Sequence, residues 1–248
     1  MKVLIIPDIH LDIGFADECI TRYGDSCERI VLLGDYFDSE EATLESTLAT
    51  ARWVENKLHD PRFTCLLGNH DVQYWFNLRD LNCAGLDESY REAISSVLDP
   101  HWQHFRLWSL VDGWLLSHAS IHRSFFRNRI LPVEEHLEEL GQTAINLASN
   151  ECEVHPFLGC GVARCGVFSV GGVTWCDFAR EFKYTKDINQ IFGHSNSDRV
   201  KKVIVPGSSN YMIDCRQTVC CILEDGVPRF EQVRPAFTTH KPIRRRFL

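Results

Sequence analysis

The stretch VLLGDYFD, residues 31–38, decides the fold, because an apolar strand ends in it at a glycine and an aspartate follows at once. In an open α/β sheet, ligands bind at the carboxyl ends of the strands. Gly34 lets the backbone turn sharply, so we expect Asp35 at the rim of the sheet. Four other apolar strands end in the same way. The polar residues that follow these strands are Asp8 and His10, Asn69 to Asp71, His118, and His194.

Strands and helices alternate in the first part of the chain. Apolar runs predict strands at 2–7, 29–33 and 63–67. Helices are predicted at 16–23 and after Ser39, which we interpret as a helix cap. The second helix has one apolar stripe, formed by Leu44, Leu48, Ala51, Val54 and Leu58. This order predicts a parallel sheet with right-handed crossovers.

The second part of the chain predicts a second sheet. Residues 105–110 and 114–117 flank Asp112-Gly113, which is a hairpin signal. A helix is predicted from Pro132 to about Asn150, and a loop at 160–172. Short strands at 188–192, 203–205, 210–214 and 218–223 would complete this sheet. We expect one domain over residues 1–248 with two packed sheets and a helical insertion at 72–100 that includes a helix at 87–98.

Composition narrows the function classes. The net charge of -8 argues against a general nucleic-acid-binding protein. No apolar run approaches the length of a membrane span, and the N-terminus enters a strand directly, so neither a membrane anchor nor a secretory signal is expected. Eleven cysteines, an odd number, predict reduced thiols in a cytoplasmic protein. The Arg244–Arg246 tail is expected to be solvated.

The residues at the strand ends share one kind of chemistry. Carboxylates, imidazoles and amide oxygens bind borderline divalent metals such as Mn, Fe or Zn. At any single strand end, an aspartate capping a helix or a histidine buried in the core is an equally good interpretation. Five such ends together favour metal binding, because buried charges and imidazoles are disfavoured unless they are paired or metal-bound.

Five motifs resemble those of the calcineurin-like metallophosphoesterases. They are Asp8-Ile9-His10, Gly34–Asp38, Gly68–Asp71, Ser117-His118-Ala119 and Gly193-His194. The resemblance implies an α/β sandwich of two mixed sheets flanked by helices, with a two-metal site. It also implies that Asp8, His10 and Asp35 hold the first metal. Asp35 would bridge to a second metal held by Asn69, His118 and His194.

The resemblance also implies the chemistry of the site. Two divalent ions would activate a hydroxide that attacks the phosphate. Mn²⁺ is the expected ion, and Fe and Zn are the alternatives. His70 would protonate the leaving group, and Asp71 would orient its imidazole. Asp38 would lie behind the ligands, bonding a histidine. His122 is the alternative to His118, which we prefer because it follows its strand directly.

Two details favour the phosphoprotein phosphatase branch of this superfamily, of the phage and bacterial type. Many diesterases carry Gly-His-x-His, whereas this chain has Asn196 at the last position. Residues 173–177 (VTWCD) resemble a motif of that branch, although Trp175 is equally interpretable as a core aromatic. The branch usually has an arginine after the second aspartate of Gly-Asp-x-x-Asp, where this chain has Ser39. Arg180 or Arg123 could bind phosphate instead, although a surface arginine is the preferred interpretation of each.

The sequence therefore predicts a metal-dependent hydrolase of phosphate monoesters, acting on a phosphoprotein or a small phosphorylated molecule. Hydrolysis of dinucleoside polyphosphates or phosphodiesters is the alternative, and a non-catalytic scaffold is a third. The expected partner is the phosphorylated substrate, and neither nucleic acid nor a membrane is expected. A zinc site could form from four nearby residues, Cys152, His155, Cys160 and Cys165, but reduced loop cysteines are the preferred interpretation.

Overall fold

The computed structural model describes residues 1–83 and 86–236, which form two five-stranded sheets and five α-helices. The strands are β1 (Lys2–Ile6), β2 (Arg29–Leu32), β3 (Phe63–Cys65), β4 (Trp108–Val111), β5 (Trp114–Ser117), β6 (Asn189–Phe192), β7 (Lys201–Val205), β8 (Ser208–Met212), β9 (Val219–Glu224) and β10 (Val227–Gln232). The helices are α1 (Ile13–Tyr23), α2 (Leu44–Leu58), α3 (Asn69–Phe76), α4 (Glu88–Leu98) and α5 (Val133–Asn146). The predicted Arg244–Arg246 tail lies outside the described residues.

The first sheet has the order β10-β9-β1-β2-β3. Strands β1, β2 and β3 are parallel, as predicted. The strand predicted at 218–223 was wrongly assigned to the second sheet. It is β9, which pairs antiparallel with β1 on one side and with β10 on the other. Residues 219–223 are all buried, which suits a strand inside a sheet that is covered on both faces.

The second sheet has the order β4-β5-β6-β8-β7 and is mixed. The predicted hairpin is confirmed, with β4 and β5 antiparallel around Asp112 and Gly113, which both have positive φ. Strands β5, β6 and β8 are parallel to one another, and β7 is antiparallel to β8. Two mixed sheets flanked by helices confirm the predicted fold class.

Alternation along β1 shows how the two layers are built. Val3 and Ile5 point into an apolar layer shared with Leu116 and Ile191 of the second sheet. Leu4 and Ile6 belong to the larger core that includes the helices. Because successive side chains of a strand point to opposite faces, the continuous apolar run of β1 places it in the middle of the molecule, where its carboxyl end carries Asp8.

Helix α2 begins later than predicted. Its N-cap is Thr43, not Ser39: Thr43 Oγ1 accepts the Ser46 N–H at 3.1 Å, and Ser46 Oγ accepts the Thr43 N–H at 3.0 Å. This reciprocal pair satisfies two backbone donors at the helix start. Leu44 is consequently in the first turn and 56% exposed, so it does not belong to the buried stripe. The buried face is formed by Thr47, Thr50, Ala51 and Val54.

Helices α4 and α5 follow the predicted pattern, whereas α1 begins at Ile13, three residues before the predicted start, and α3 was not predicted as a helix. Helix α4 has Asp87 as its N-cap and packs against α2. Tyr90 of α4 donates a hydrogen bond to the carbonyl of Ala42, which directly precedes the N-cap of α2. Pro132 precedes α5, which continues into a π-helical turn at Leu147–Glu151. None of the helices in the described part of the chain is long and apolar enough to cross a membrane.

Candidate metal centre

Five strand ends of the two sheets converge on one cluster of polar side chains. Asp8 follows β1, Asp35 follows β2 and Asn69 follows β3 in the first sheet; His118 and His194 follow β5 and β6 in the second. Ligand atoms of Asp35, His118 and His194 all lie within 4.8 Å of one another, as do those of Asp8, His10 and Asp35. The structure therefore brings the predicted ligands together.

His118 shows that the cluster suits a cation. Its Nδ1 lies 3.0 Å from the Leu33 carbonyl oxygen, which assigns the ring proton to Nδ1. Nε2 then presents a lone pair to Asn69 Oδ1 at 3.1 Å, His194 Nδ1 at 3.2 Å and Asp35 Oδ2 at 3.3 Å. These side chains are all buried. Lone pairs that converge in a buried site repel one another unless a positive charge lies between them.

The pKa values of His118 and His194 also favour a cation in the cluster. Burial by itself lowers the pKa of His118, but the carboxylates of Asp35 and Asp8 outweigh it and raise the pKa to about 9. Burial and the neighbouring His118 charge hold the pKa of His194 well below its usual value. The cluster thus attracts one positive charge and repels a second proton, which suits neutral imidazole ligands around a divalent ion.

His10 is oriented in the same way as His118. Its Nδ1 lies 3.1 Å from the Phe37 carbonyl oxygen and 2.9 Å from that of Asp38, so Nε2 presents the lone pair. Nε2 is 3.6 Å from Asp35 Oδ2, the same oxygen that faces His118. The other oxygen of Asp35 accepts the His70 backbone N–H at 2.9 Å. Asp35 therefore lies between the two groups of ligands, where a bridging carboxylate is expected.

Glycines before the ligands are required by close packing. A Cβ on Gly193 would lie 2.0 Å from Asp8 Oδ1, and a Cβ on Gly68 would lie 2.1 Å from Asp35 Oδ1. With no side chain at residue 193, both carboxylate oxygens of Asp8 accept the His194 N–H, at 3.1 and 3.0 Å. The backbone of one strand end thereby holds a ligand from the other sheet.

Cys83 orients the amide of Asn69, and the sequence did not reveal this role. Asn69 Nδ2 donates to Cys83 Sγ at 3.0 Å, and the thiol donates back to the Asn69 carbonyl at 3.2 Å. These bonds turn Asn69 Oδ1 toward His118. Cys83 is fixed in turn by its N–H, which donates to Gln73 Oε1 at 2.8 Å. A single loop cysteine that lies 14 residues along the chain carries no sequence signal for this function.

The partner of His70 is Asp38, and the prediction that Asp71 orients its imidazole is wrong. His70 Nδ1 lies 2.8 Å from Asp38 Oδ2. The Asp38 carboxylate also accepts hydrogen bonds from Gln73 and Tyr74, both at 2.5 Å. Its backbone carbonyl contacts His10, so Asp38 does support a predicted histidine ligand. Adjacency in sequence favoured Asp71, but its carboxylate accepts the backbone N–H groups of Asp35, Tyr36 and Gly68.

Asp71 instead ties two loops together. Its carboxylate accepts the backbone N–H groups of Asp35 at 2.7 Å, Gly68 at 2.8 Å and Tyr36 at 2.9 Å. Burial and the Asp35 charge raise the pKa of Asp71 to about 7, against the effect of these hydrogen bonds. Asp71 therefore positions the backbone at Asp35 and does not orient the His70 imidazole as predicted.

A cavity of about 940 Å³ opens beside the cluster. It is lined by Asn69, His70, His194 and Asn196, and by three arginines, Arg79, Arg164 and Arg180. Arg180, predicted as a phosphate-binding residue, is there, whereas Arg123 is not among the lining residues. Arg164 was not predicted, because it lies in the glycine-rich loop. Its Nε pairs with Asp177 at 3.0 Å, and its Nη2 lies 3.4 Å from Ser195 Oγ.

Trp175 borders this cavity as well as the core. Its ring meets the His194 ring edge-on, with centroids 6.0 Å apart. Only 7% of its surface is exposed. The buried indole Nε1 has no hydrogen-bond partner within residues 1–83 and 86–236. Trp175 is therefore a buried aromatic that also borders the cavity, and Asp177 lines the same cavity.

Asn196 and Asp214 complete the surroundings. Asn196 Oδ1 accepts a hydrogen bond from Arg216 Nε at 2.7 Å, and Asn196 also lines the cavity. Asp214 was missed. It is buried, and burial together with the Asp8 charge raises its pKa to about 8. Nothing in its sequence context distinguishes Asp214 from a loop aspartate.

The alternative zinc set is not assembled. Cys160 Sγ donates to the Arg164 carbonyl at 3.4 Å, and His155 Nδ1 accepts the Phe157 N–H at 3.1 Å. Cys152 and Cys165 are exposed, and all eleven cysteines are free thiols. His122 contacts Ser124 and caps a short helical turn, which supports the choice of His118 as the ligand.

Comparisons with known proteins agree with this geometry. The family profile of the calcineurin-like phosphoesterases matches residues 1–198. No curated protein sequence matches the chain. Among solved structures, a cold-active protein-tyrosine phosphatase of a psychrophilic Shewanella species is similar, with a TM-score of 0.61, 14% identity, and coverage of 93% of this chain and 80% of that one.

A protein serine/threonine phosphatase from Saccharomyces cerevisiae is also similar in fold. Its TM-score is 0.56 at 12% identity, and the match covers 98% of this chain and 82% of that one. At such identities the two structures establish a shared fold, and the family profile establishes the family.

Proposed function

The chain belongs to the calcineurin-like phosphoesterase family and is a hydrolase of phosphoester bonds; from that premise we propose that it cleaves phosphate monoesters with the help of two divalent cations. The substrate is a phosphoprotein or a small phosphorylated molecule. The observation that carries the proposal is the His70–Asp38 pair, which places a carboxylate-supported imidazole beside the ligand cluster and in the wall of the cavity.

The ligand cluster would hold the two cations. Asp8, His10 and Asp35 form one set, and Asp35, Asn69, His118 and His194 form the other. Carboxylate, imidazole and amide ligands with no thiolate among them favour Mn²⁺ over a structural zinc ion. Divalent cations in such a centre would neutralise the phosphate charge. They would also lower the pKa of a bound water molecule, so that hydroxide is available at neutral pH.

His70 is proposed as the general acid. Its Nδ1 is directed to Asp38, so Nε2 is the nitrogen that exchanges a proton with the leaving group. A carboxylate partner fixes the orientation of the ring. Because Gln73 and Tyr74 hold the Asp38 carboxylate in turn, the acid is oriented before the substrate binds.

The arginines support a monoester substrate. A phosphate monoester carries about two negative charges at neutral pH, and guanidinium groups bind such oxygens by paired hydrogen bonds. Arg164 is the best placed of the three, because its contact with Ser195 sets it next to His194. We propose that Arg164, with Arg180, replaces the arginine that is missing after Asp38.

A second observation keeps one alternative open. The cavity of about 940 Å³ is much larger than one phosphate group and also contains Phe168 and Trp175. Aromatic side chains could stack on a base, so a dinucleoside polyphosphate or another diester is the second candidate. Asn196 in place of the histidine of Gly-His-x-His supports the monoester instead. The free thiols support a reducing compartment, and we propose the cytoplasm.

Hydrolysis of p-nitrophenyl phosphate and of bis-p-nitrophenyl phosphate, with Mn²⁺ added, tests the proposal. We expect the monoester to be cleaved faster, and His70→Asn to abolish most of that activity. Arg164→Ala should raise KM for the monoester, whereas Arg123→Ala, which removes an arginine that does not line the cavity, should leave it unchanged. Faster cleavage of the diester by the native chain would favour the alternative.

A further inference from the structure

A second group of metal-binding side chains lies on another part of the surface and has no part in the proposed reaction. It is formed by Glu55 and His59 of the α2 C-terminus and by His101, which follows α4. One ligand atom from each of the three lies within 4.8 Å of the other two. The two imidazole rings are 5.2 Å apart and nearly perpendicular. We propose that these residues bind a divalent transition-metal ion. Zn²⁺ is the ion used to test this site.

The spacing of the residues favours a shared ion. Glu55 and His59 are four residues apart, which places them on one face of α2. Glu55 Oε1 is 3.3 Å from His101 Nε2. A strong charge-assisted hydrogen bond would be about 2.7–2.9 Å. Two ligands of a tetrahedral zinc ion, each about 2.0–2.1 Å from the metal, are roughly 3.3 Å apart, which matches the observed separation.

Two further features favour a cation at this place. The C-terminus of a helix carries a partial negative charge, and α2 has 15 residues. Lys57, the basic residue in its last turn, packs on the rings of Trp53 and Phe63 and leaves the carboxyl end of the helix to the histidines. The ligands are one carboxylate and two imidazoles, with a remaining position for water. This set suits zinc, copper or nickel better than magnesium or calcium.

An ion here would join α2 to the segment that supports the metal centre. His101 precedes Trp102, whose buried ring stacks on Trp75 with centroids 6.0 Å apart. Trp75 belongs to α3, the helix that begins with Asn69. Binding at Glu55, His59 and His101 therefore stabilises the packing behind α3 without contact with the substrate.

Equilibrium dialysis of the full chain against excess Zn²⁺ tests the proposal, because it counts the ions at both sites. The variants are His59→Ala and His101→Gln, and the second keeps a hydrogen-bond donor for Glu55. Asn56→Ala, an exposed residue on the same turn of α2, is the matched control. Circular dichroism confirms that each variant is folded.

We expect the native chain and Asn56→Ala to bind about one equivalent more Zn²⁺ than His59→Ala and His101→Gln. Zn²⁺ should also raise Tm further in the native chain than in the two histidine variants, while hydrolysis of p-nitrophenyl phosphate with Mn²⁺ stays unchanged in all four. Equal zinc content in all four proteins would overturn the proposal, and so would a zinc loss shared by Asn56→Ala. If the dialysis is repeated with Mg²⁺ and the two histidine variants lose as much bound Mg²⁺ as they lose Zn²⁺, the proposal would also be overturned.

Discussion

Replacement of Asp38 by asparagine tests how His70 acts as the acid. The asparagine side chain keeps the shape of the carboxylate but has one acceptor oxygen and one NH₂ donor. Asp38 currently accepts hydrogen bonds from His70, Gln73 and Tyr74, with His70 Nδ1 2.8 Å from Oδ2. In Asp38→Asn at least one of these donors loses its acceptor, and the His70 ring loses its carboxylate partner.

The size of the effect follows from this lost contact. A hydrogen bond between charged groups contributes about 1.5–3 kcal/mol. If this contribution is lost in the transition state, kcat falls by roughly 10- to 160-fold. The binding of the substrate ground state depends on other residues, so KM should change little.

Two leaving groups make the assay specific for acid catalysis. Phenolate leaves less readily than p-nitrophenolate and needs its proton more, so Asp38→Asn should slow phenyl phosphate more than p-nitrophenyl phosphate. In a His70→Asn background, the same change should have little further effect. Asp80→Asn, which alters another carboxylate of the cavity wall, is the control. Equal losses for both substrates, or additive losses in the double variant, would refute the role of the pair.

Three other predictions concern stability and metal binding. Asp71→Asn disrupts a carboxylate that accepts three backbone N–H groups, so urea unfolding should show a loss of about 2–5 kcal/mol; unchanged stability would contradict this role. Cys83→Ala frees the Asn69 amide, and calorimetry should show a Mn²⁺ affinity about 10- to 100-fold weaker than that of the native chain. An unchanged Mn²⁺ affinity would show that the contact with Cys83 does not orient Asn69. In the chain depleted of metal, the raised pKa values of Asp214, about 8, and His118, about 9, mean that the folded state holds protons that the unfolded state has released. The free energy of unfolding, measured with urea, should therefore fall as the pH rises from 6.5 to 9. Added Mn²⁺ should remove this pH dependence. A free energy of unfolding that rises over the same pH range would contradict the raised pKa values.

Much of the fold could be predicted because its signals are local. The continuous apolar runs of β1 and β2 identify buried parallel strands, and Asp112-Gly113 identifies a hairpin. Which sheet a strand joins depends on contacts between distant residues. Nothing within residues 218–223 distinguishes a partner in the second sheet from β1, so β9 was misassigned. Ser39 and Thr43 are equally good helix caps in sequence, and only the reciprocal bond with Ser46 selects Thr43.

The candidate metal-binding cluster could be predicted to a similar extent, and for a related reason. Its residues follow strands directly, so the sheet edge itself brings them together. Several residues that support the cluster, such as Asp38 and Cys83, come from loops, where sequence neighbours need not be neighbours in space. Asp38 reaches His70 of α3 from the loop after β2, while the Asp71 carboxylate accepts backbone N–H groups. Cys83 and Arg164 are placed by loop geometry alone and carry no periodic pattern or motif.

A titration of the metal-depleted chain with Mn²⁺, with p-nitrophenyl phosphate hydrolysis followed throughout, tests the central claim most directly. Asp35 lies between two sets of ligands, so the chain should bind about two equivalents of Mn²⁺, with activity rising as the second is bound. Full hydrolysis of the monoester before Mn²⁺ is added, or an activity that reaches its plateau at about one equivalent, would contradict a two-ion phosphoesterase centre.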